Sequence, residues 1–406
     1  MKHTLFILST LLLLSCSKDD GILRLQLWHQ MQPEDRAVLE RVVKAYDNAR
    51  DSLQITVIYK ETEELRSAFQ SAALAGLGPD LIYGPSDQVG PLATMQFIKG
   101  LDQLFDPERL AEFDPRCVVA YHDSIYMIAD RIGNHLTLVY NTDLLPEPPQ
   151  TTDDLIRMGK EATKDLNGDG VIDQWAIVWN FTEPFFFVPW LSGFGGWVFD
   201  DEGNPSLNTD AVVHAFEFVK ALRDTFKIIP PDCDYNTADV MFKEGRAAML
   251  INGPWSWSGY ENAGIPMKLA RIPMVSSTGL WPAPMIAPLG YSIRAAIPEK
   301  NLQASVALLN YLLSDSVQQQ FVKATGVIPA SLALREDPNY LSRPNMAESL
   351  SQLDVGRPMP VNPELRAVWD ALRPAYQSVL GGNMSAKEAA RWAQQLAEQK
   401  IREMNE

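Results

Sequence analysis

The chain has 406 residues, 46% of them hydrophobic, with 51 acidic against 35 basic side chains and a formal net charge of −16. So acidic a balance argues against nucleic-acid backbones and anionic lipid as ligands, and the length and apolar content suit a globular protein of two domains. Cysteine and histidine show no metal-binding spacing, and the five histidines are scattered singly.

Residues 1–15 read as a short export signal: Met1-Lys2-His3, an apolar run from Leu5 to Leu14, then Ser15 before Cys16. The run is too short to span a bilayer, which needs roughly 18 unbroken apolar residues. Leu13-Leu14-Ser15-Cys16 resembles a bacterial lipobox, so Cys16 is the expected lipidated N-terminus of an exported protein, a plain cleaved signal being the alternative. Loss of the leader, whose only charge is Lys2, leaves 391 residues at −17.

After a polar tether at 16–21, Leu23 to Leu27 alternates as a strand. A polar loop from His29 to Asp35 opens a helix with Val38, Leu39, Val42, Val43 and Tyr46 on one face. A second strand (Leu53, Ile55, Val57, Tyr59), a helix near Glu63–Leu74 and an apolar strand at Asp80–Tyr83 follow. This β-α-β-α order implies crossovers and a sheet covered on both faces, with ligands beyond the carboxyl ends of its strands. Leu136–Tyr140 is the next strand and begins a second α/β set, with an aromatic stretch at Trp179–Trp197 and a helix at Val212–Phe226.

In that set Ala247 to Ile251 is short and uniformly apolar, as a buried strand is, and Asn252-Gly253-Pro254 stops it. Trp255 and Trp257 come at once, and an indole held by a Gly-Pro turn at the mouth of a sheet presents a flat apolar face to a ligand. Core packing is the competing reading, and it is the one taken for Trp257. Pro282-Ala283-Pro284 reads as a linker between lobes, followed by helix 302–313, a helix carrying Trp369 and an amphipathic helix from about Ala386 to Glu403. Cys117 and Cys233 are left open, since spacing alone cannot show whether they pair.

Asp165-Leu166-Asn167-Gly168-Asp169-Gly170-Val171-Ile172-Asp173 follows the start of a calcium loop, with Asp165, Asn167, Asp169, the Val171 carbonyl and Asp173 as ligands. The twelfth position, normally a bidentate Glu, is Ala176, so another ligand or water must complete the shell. The expected ion is structural; an acidic Asx/Gly turn without metal is the alternative.

Six blocks in order carry a family resemblance: Leu27-Trp28-His29, Gly78-Pro79-Asp80-Leu81-Ile82, Tyr140 to Pro146, Glu183-Pro184, Ile251 to Trp255, and Pro360 through Trp369. With the lipobox before them, they resemble the extracellular solute-binding proteins of ABC sugar importers, most of all those that bind maltose and maltodextrin. The resemblance implies a periplasmic-binding-protein-like fold of type II, two α/β lobes that close about a hinge on a sugar. It places one lobe at 22–131 plus 288–345 and the other at 132–287 plus 346–406, with crossings near Ile132-Gly133, Pro284–Leu289 and residues 343–352. The implied partners are a carbohydrate and the permease subunits of a transporter; no cofactor is required, and a monomer is expected.

A pyranose has apolar faces and a rim of hydroxyls, so its site needs flat aromatics with carboxylates or amides at the edges. The resemblance assigns stacking to Trp255, Trp369 and Phe185, the last at a position usually held by Tyr. It assigns hydroxyl binding to Asp87 and Glu183, with Gln30, Gln32, Glu34 and Asn134 completing the polar set. Departures stand at Pro33, where the family has Lys, at Gly84, where it has Trp, and at Asn134, where it has Glu. The rival readings are an extracellular glycoside hydrolase with Asp87 and Glu183 as its carboxylate pair, and a sugar-sensing lipoprotein without a transporter.

Overall fold

The computed structural model describes residues 21–405. The export signal, Cys16 and all of the tether but Gly21 lie outside the described residues. Strand β1 (Leu23–His29) buries Leu25 and Leu27 and exposes Arg24 and Gln26, because successive side chains of a strand point to opposite faces. Strands β2 (Leu53–Tyr59) and β3 (Leu81–Pro85) run parallel to β1 on its two sides, Leu27 lying opposite both Val57 and Leu81. Helix Pro33–Asn48 makes the first crossover and buries Val38, Leu39, Val42, Val43 and Tyr46, the face its 3.6-residue periodicity predicts. The antiparallel pair β4 (Val118–Tyr121) and β5 (Ser124–Ile132) follows.

The chain then leaves this sheet through Gly133 and Asn134, both at positive φ, and builds a second one. Its strands are β6 (Thr137–Asn141), β7 (Trp175–Val178), β8 (Ala247–Asn252) and β9 (Met267–Ala270), in the order β7-β8-β6-β9. All six residues of β8 are buried, as a uniformly apolar run at the centre of a covered sheet must be. After the short strand β10 (Met285–Ile286) the chain returns: β11 (Leu289–Ile293) inserts antiparallel between β3 and β5, and β12 (Ile328–Pro329) adds to β5. The first sheet thus reads β12-β5-β11-β3-β1-β2 with β4 beside β5, while β13 (Arg357–Pro358) pairs with β10 in a separate parallel ribbon.

Each sheet carries its own apolar core. One gathers Leu25, Leu81, Ile128, Ile293 and Phe321; the other gathers Trp179, Trp190, Phe216, Leu250 and Tyr376. Helix Pro184–Gly193 is apolar on all sides and accordingly sunk in the second core, with Phe185 alone only half-buried. Helix Met346–Val355 buries Met346 and Leu353 in the first core, so residue 346 is not where the chain changes core. The same helix is tied to the second sheet, since Leu269 N donates to Asn345 Oδ1 at 3.2 Å and Ile272 N to Gln352 Oε1 at 2.7 Å. Cys117 and Cys233 are free thiols, one in each core, with burial raising both pKa values.

Candidate functional site

Three helices start in the same way at the ends of strands, and together they build a cleft. Pro33, Pro184 and Pro254 each occupy the first turn, where a fixed φ suits the helix and the missing N–H costs nothing. Pro33, which departs from the family's Lys, thus has a structural task. After Pro184 and Pro254 an aromatic residue comes next, and the rings of Phe185 and Trp255 lie 6.5 Å apart at 48°. The Trp255 indole donates from Nε1 to the Tyr235 hydroxyl at 3.0 Å. Gly253 is what lets that indole fold back over the backbone: a Cβ there would lie 2.0 Å from the ring. The Asn-Gly-Pro-Trp motif therefore aims an aromatic face from the end of β8.

That face borders a cleft of about 900 Å³, its mouth included, which Gln30, Gln32, Glu34, Asn134 and Trp255 all line. Five of the nine residues expected at the sugar site thus meet in one place, contributed by the loop after β1, the passage between the sheets and the helix after β8. Gln30 Oε1 is buried there without a hydrogen-bond partner among the described residues, which leaves it an acceptor in need of a donor. Asn134 holds its left-handed φ of 50°, a conformation asparagine tolerates better than most residues.

The other four stand outside the lining. Phe185 reaches the cleft only through Trp255. Glu183 accepts from Arg373 at 2.9 Å across a part-exposed ion pair. Trp369 lies half-buried against the second core on helix Leu365–Leu380, one turn before that arginine. Asp87 sits in the short 3₁₀ turn Ser86–Gln88 beyond β3.

The floor of the cleft holds residues that the sequence reading missed. Arg131 makes a two-pronged pair with Asp130 at 3.0 and 3.2 Å and reaches Asp35 at 2.9 Å. Asp35 also accepts from the Thr325 hydroxyl at 2.9 Å, and Asp130 accepts from Tyr83 at 3.1 Å. Burial opposes the Arg131 charge, yet Asp130 and Asp35 outweigh it and raise its pKa well above the ordinary arginine value. The available signal was Asp130-Arg131 inside the apolar strand β5, because adjacent charges in a buried strand survive only when paired.

In the Asp165–Asp173 loop the side chains cap the backbone. Asp165 accepts from Gly168 N at 2.7 Å and Gly170 N at 2.8 Å, Asn167 from Asp169 N at 2.9 Å, and Asp173 from Leu166 N at 2.7 Å. Among the described residues no three acidic, His or Cys side chains gather closely enough to hold a metal ion. Ala176 is buried in β7 and offers no side-chain oxygen at the position where a calcium loop carries its bidentate carboxylate. No described helix is long and apolar enough to cross a membrane.

Residues 41–348 match the family described as bacterial extracellular solute-binding protein. The maltotriose-binding protein of Pyrococcus abyssi is 26% identical over 364 residues, which is 87% of this chain and 77% of that one. The galactooligosaccharide-binding protein of Bacillus subtilis is 24% identical over 90% of this chain and 86% of its own length. Among solved structures, the maltose/maltodextrin-binding domain of Bdellovibrio bacteriovorus bound to maltotriose is 47% identical, with a TM-score of 0.87 over 94% of this chain and 100% of that one. The Thermus thermophilus maltotriose-binding protein superposes with a TM-score of 0.80 at 22% identity, over 93% of this chain and all of its own, a likeness of fold.

Proposed function

This chain belongs to the bacterial extracellular solute-binding proteins, and from that premise we propose that it captures a maltodextrin-type oligosaccharide and hands it to an ABC importer. It is a binding protein of transport and not an enzyme, as its relatives are. The observation that carries the sugar assignment is the meeting of Trp255 with Gln30, Gln32, Glu34 and Asn134 around one cleft between two separately cored sheets. A flat apolar wall opposite amide and carboxylate groups is what a pyranose requires. The 47% identity to a domain bound to maltotriose supports an α-glucan over other sugars.

Phe185, Trp369, Glu183 and Asp87 stand beyond the cleft lining, on walls that closure of the lobes brings to a longer ligand. Glu183 and Arg373 then act as one polar unit, the arginine holding the carboxylate toward the sugar edge. In this reading Cys16 is the lipidated mature N-terminus, which tethers a monomeric receptor outside the cytoplasmic membrane. Mass spectrometry of the protein extracted from membranes should find a diacylated Cys16 terminus; an unmodified soluble form would remove the anchor.

Titration calorimetry with maltose, maltotriose and longer maltodextrins tests the function. Binding of maltotriose in the micromolar range or tighter is expected, at about −8 kcal/mol or beyond. Saturable binding of galactooligosaccharides with no response to any maltodextrin would replace the ligand and keep the receptor.

A further inference from the structure

From the end of β13 to helix Leu365–Leu380 the chain reads Pro358-Met359-Pro360-Val361-Asn362-Pro363, half of it proline. Each proline fixes its own φ and holds the residue before it extended, so this strap is stiff. Its two ends belong to the second lobe: Met359 packs on the second core, which also buries Leu365 and Val368. Val361, between them, packs instead on a small apolar group of the first lobe that includes Ile82 of β3, Phe69, Val89 and Leu92. The strap thus leaves one lobe, sets one residue on the other and returns.

That foothold is tight because residue 90 is glycine. Gly90 is buried on the short helix Val89–Thr94, where a Cβ would stand 1.8 Å from the Val361 carbonyl oxygen and 3.2 Å from Pro363 Cδ. An unstrained carbon–oxygen contact needs about 3.3 Å, so a methyl at this position would drive the strap back by about 1.5 Å. No rotamer change relieves the clash, since the obstacle is a backbone carbonyl held between Pro360 and Pro363. The helix itself does not call for glycine: Gly90 is not at positive φ, and alanine is the better helix former. Beside the foothold the strap stands off the first sheet, for a cavity of about 710 Å³, its mouth included, is lined by Met359 and Val361 on one side and by Ser86 and Val119 on the other.

We propose that the strap is a latch between the lobes: the Val361 carbonyl seats on Gly90 when the lobes close and leaves it when they open, so the missing side chain at residue 90 sets how completely the cleft can shut. The inference rests on the reading above of a receptor that closes on its sugar. Neither Gly90 nor Val361 lines the cleft, so both are positioning residues that act through the closed state and not on the ligand. A stiff strap passes a displacement on to the second lobe in place of absorbing it. Apparent affinity then falls in proportion to the fraction of the protein able to close.

The test combines small-angle X-ray scattering, titration calorimetry with maltotriose and sugar-free melting curves on the full mature chain, for the natural protein and for Gly90→Ala, Gly90→Val and Val361→Ala. The natural protein should contract on saturation with maltotriose. Gly90→Ala should keep a nearly unchanged melting point, bind about tenfold more weakly or worse, and contract less even at saturation, and Gly90→Val should extend both losses. Val361→Ala retains the carbonyl and loses only the apolar foot, so its affinity should fall by about threefold. Full contraction of Gly90→Ala with a Kd within about twofold of the natural value overturns the latch and leaves the receptor assignment standing. Should Gly90→Ala fail to fold, Val361→Ala decides, and unchanged affinity and contraction there overturn the latch. If no maltodextrin binds the natural protein, the sugar assignment falls first. The same comparison is then run with galactooligosaccharides, and failure of those as well overturns both.

Discussion

Replacing Trp255 by alanine separates a ligand-stacking indole from a packing one. A tryptophan side chain carries roughly 200 Å² of surface, and a sugar lying on one face covers about half of it, roughly 100 Å². At about 25 cal/mol/Å² that contact is worth about 2.5 kcal/mol, which raises Kd roughly 60-fold. The indole is only half-buried and its one hydrogen bond goes to the equally half-buried Tyr235 hydroxyl, which water can serve in the variant. Folding should therefore lose less, on the order of 1 kcal/mol. Titration calorimetry with maltotriose beside a melting curve in the absence of sugar measures both. A folded variant whose Kd stays within about threefold of the natural protein would refute the stacking role, because no other function of this indole predicts a selective loss of binding.

Gly253→Ala places a methyl 2.0 Å from the Trp255 ring, so the ring must swing away; a loss of affinity of about tenfold or more with a nearly unchanged melting point is expected, and unchanged affinity would mean the ring orientation does not matter. His135, fully buried, and His29, also beside Arg36, have pKa values lowered by burial to about 4, against 6.5 when unfolded. The unfolded chain therefore takes up protons first, and their contribution to stability is complete above pH 6.5 and lost as pH falls toward 4. For His135 this amounts to about 3 kcal/mol; His135→Asn should flatten the melting-point profile in that window, and an unaltered slope would assign it to other groups. The Asp165–Asp173 loop is proposed to take a structural calcium completed by water. Calcium at about 1 mM should then raise the melting point of chelator-treated protein by a few degrees, and no response would leave a self-capped turn.

Much of the fold could be read locally, for definite reasons. Val38, Leu39, Val42, Val43 and Tyr46 share a helical face, so periodicity placed that helix, and the apolar run at 247–251 is too brief and too uniformly apolar for a surface helix, so its length placed the strand. The order of strands could not be read in that way. β11 lies between β3 and β5 although some 200 residues separate it from β3, and nothing local in Leu289–Ile293 specifies those neighbours. Helix Met346–Val355 shows the same difficulty: its apolar face joins the first core while Asn345 and Gln352 reach the second sheet.

The site divides along the same line. From the sequence, the local Gly-Pro stop pointed to Trp255 as an aromatic face for a ligand, whereas the other sugar-site candidates came from the family resemblance, with sugar chemistry supplying only the logic of their side-chain types. The sequence by itself also determined the conformation that aims Trp255, since Gly253 and Pro254 act within one turn of it. Only the tertiary structure decided which of those side chains meet. It brought Gln30 and Asn134 to Trp255, left Asp87 and Trp369 outside the lining, and added Arg131 with Asp35 beneath. The physical reason is that a cleft is a property of where two independently packed lobes come to rest, and each lobe is assembled from distant stretches of chain whose pairing carries no local mark.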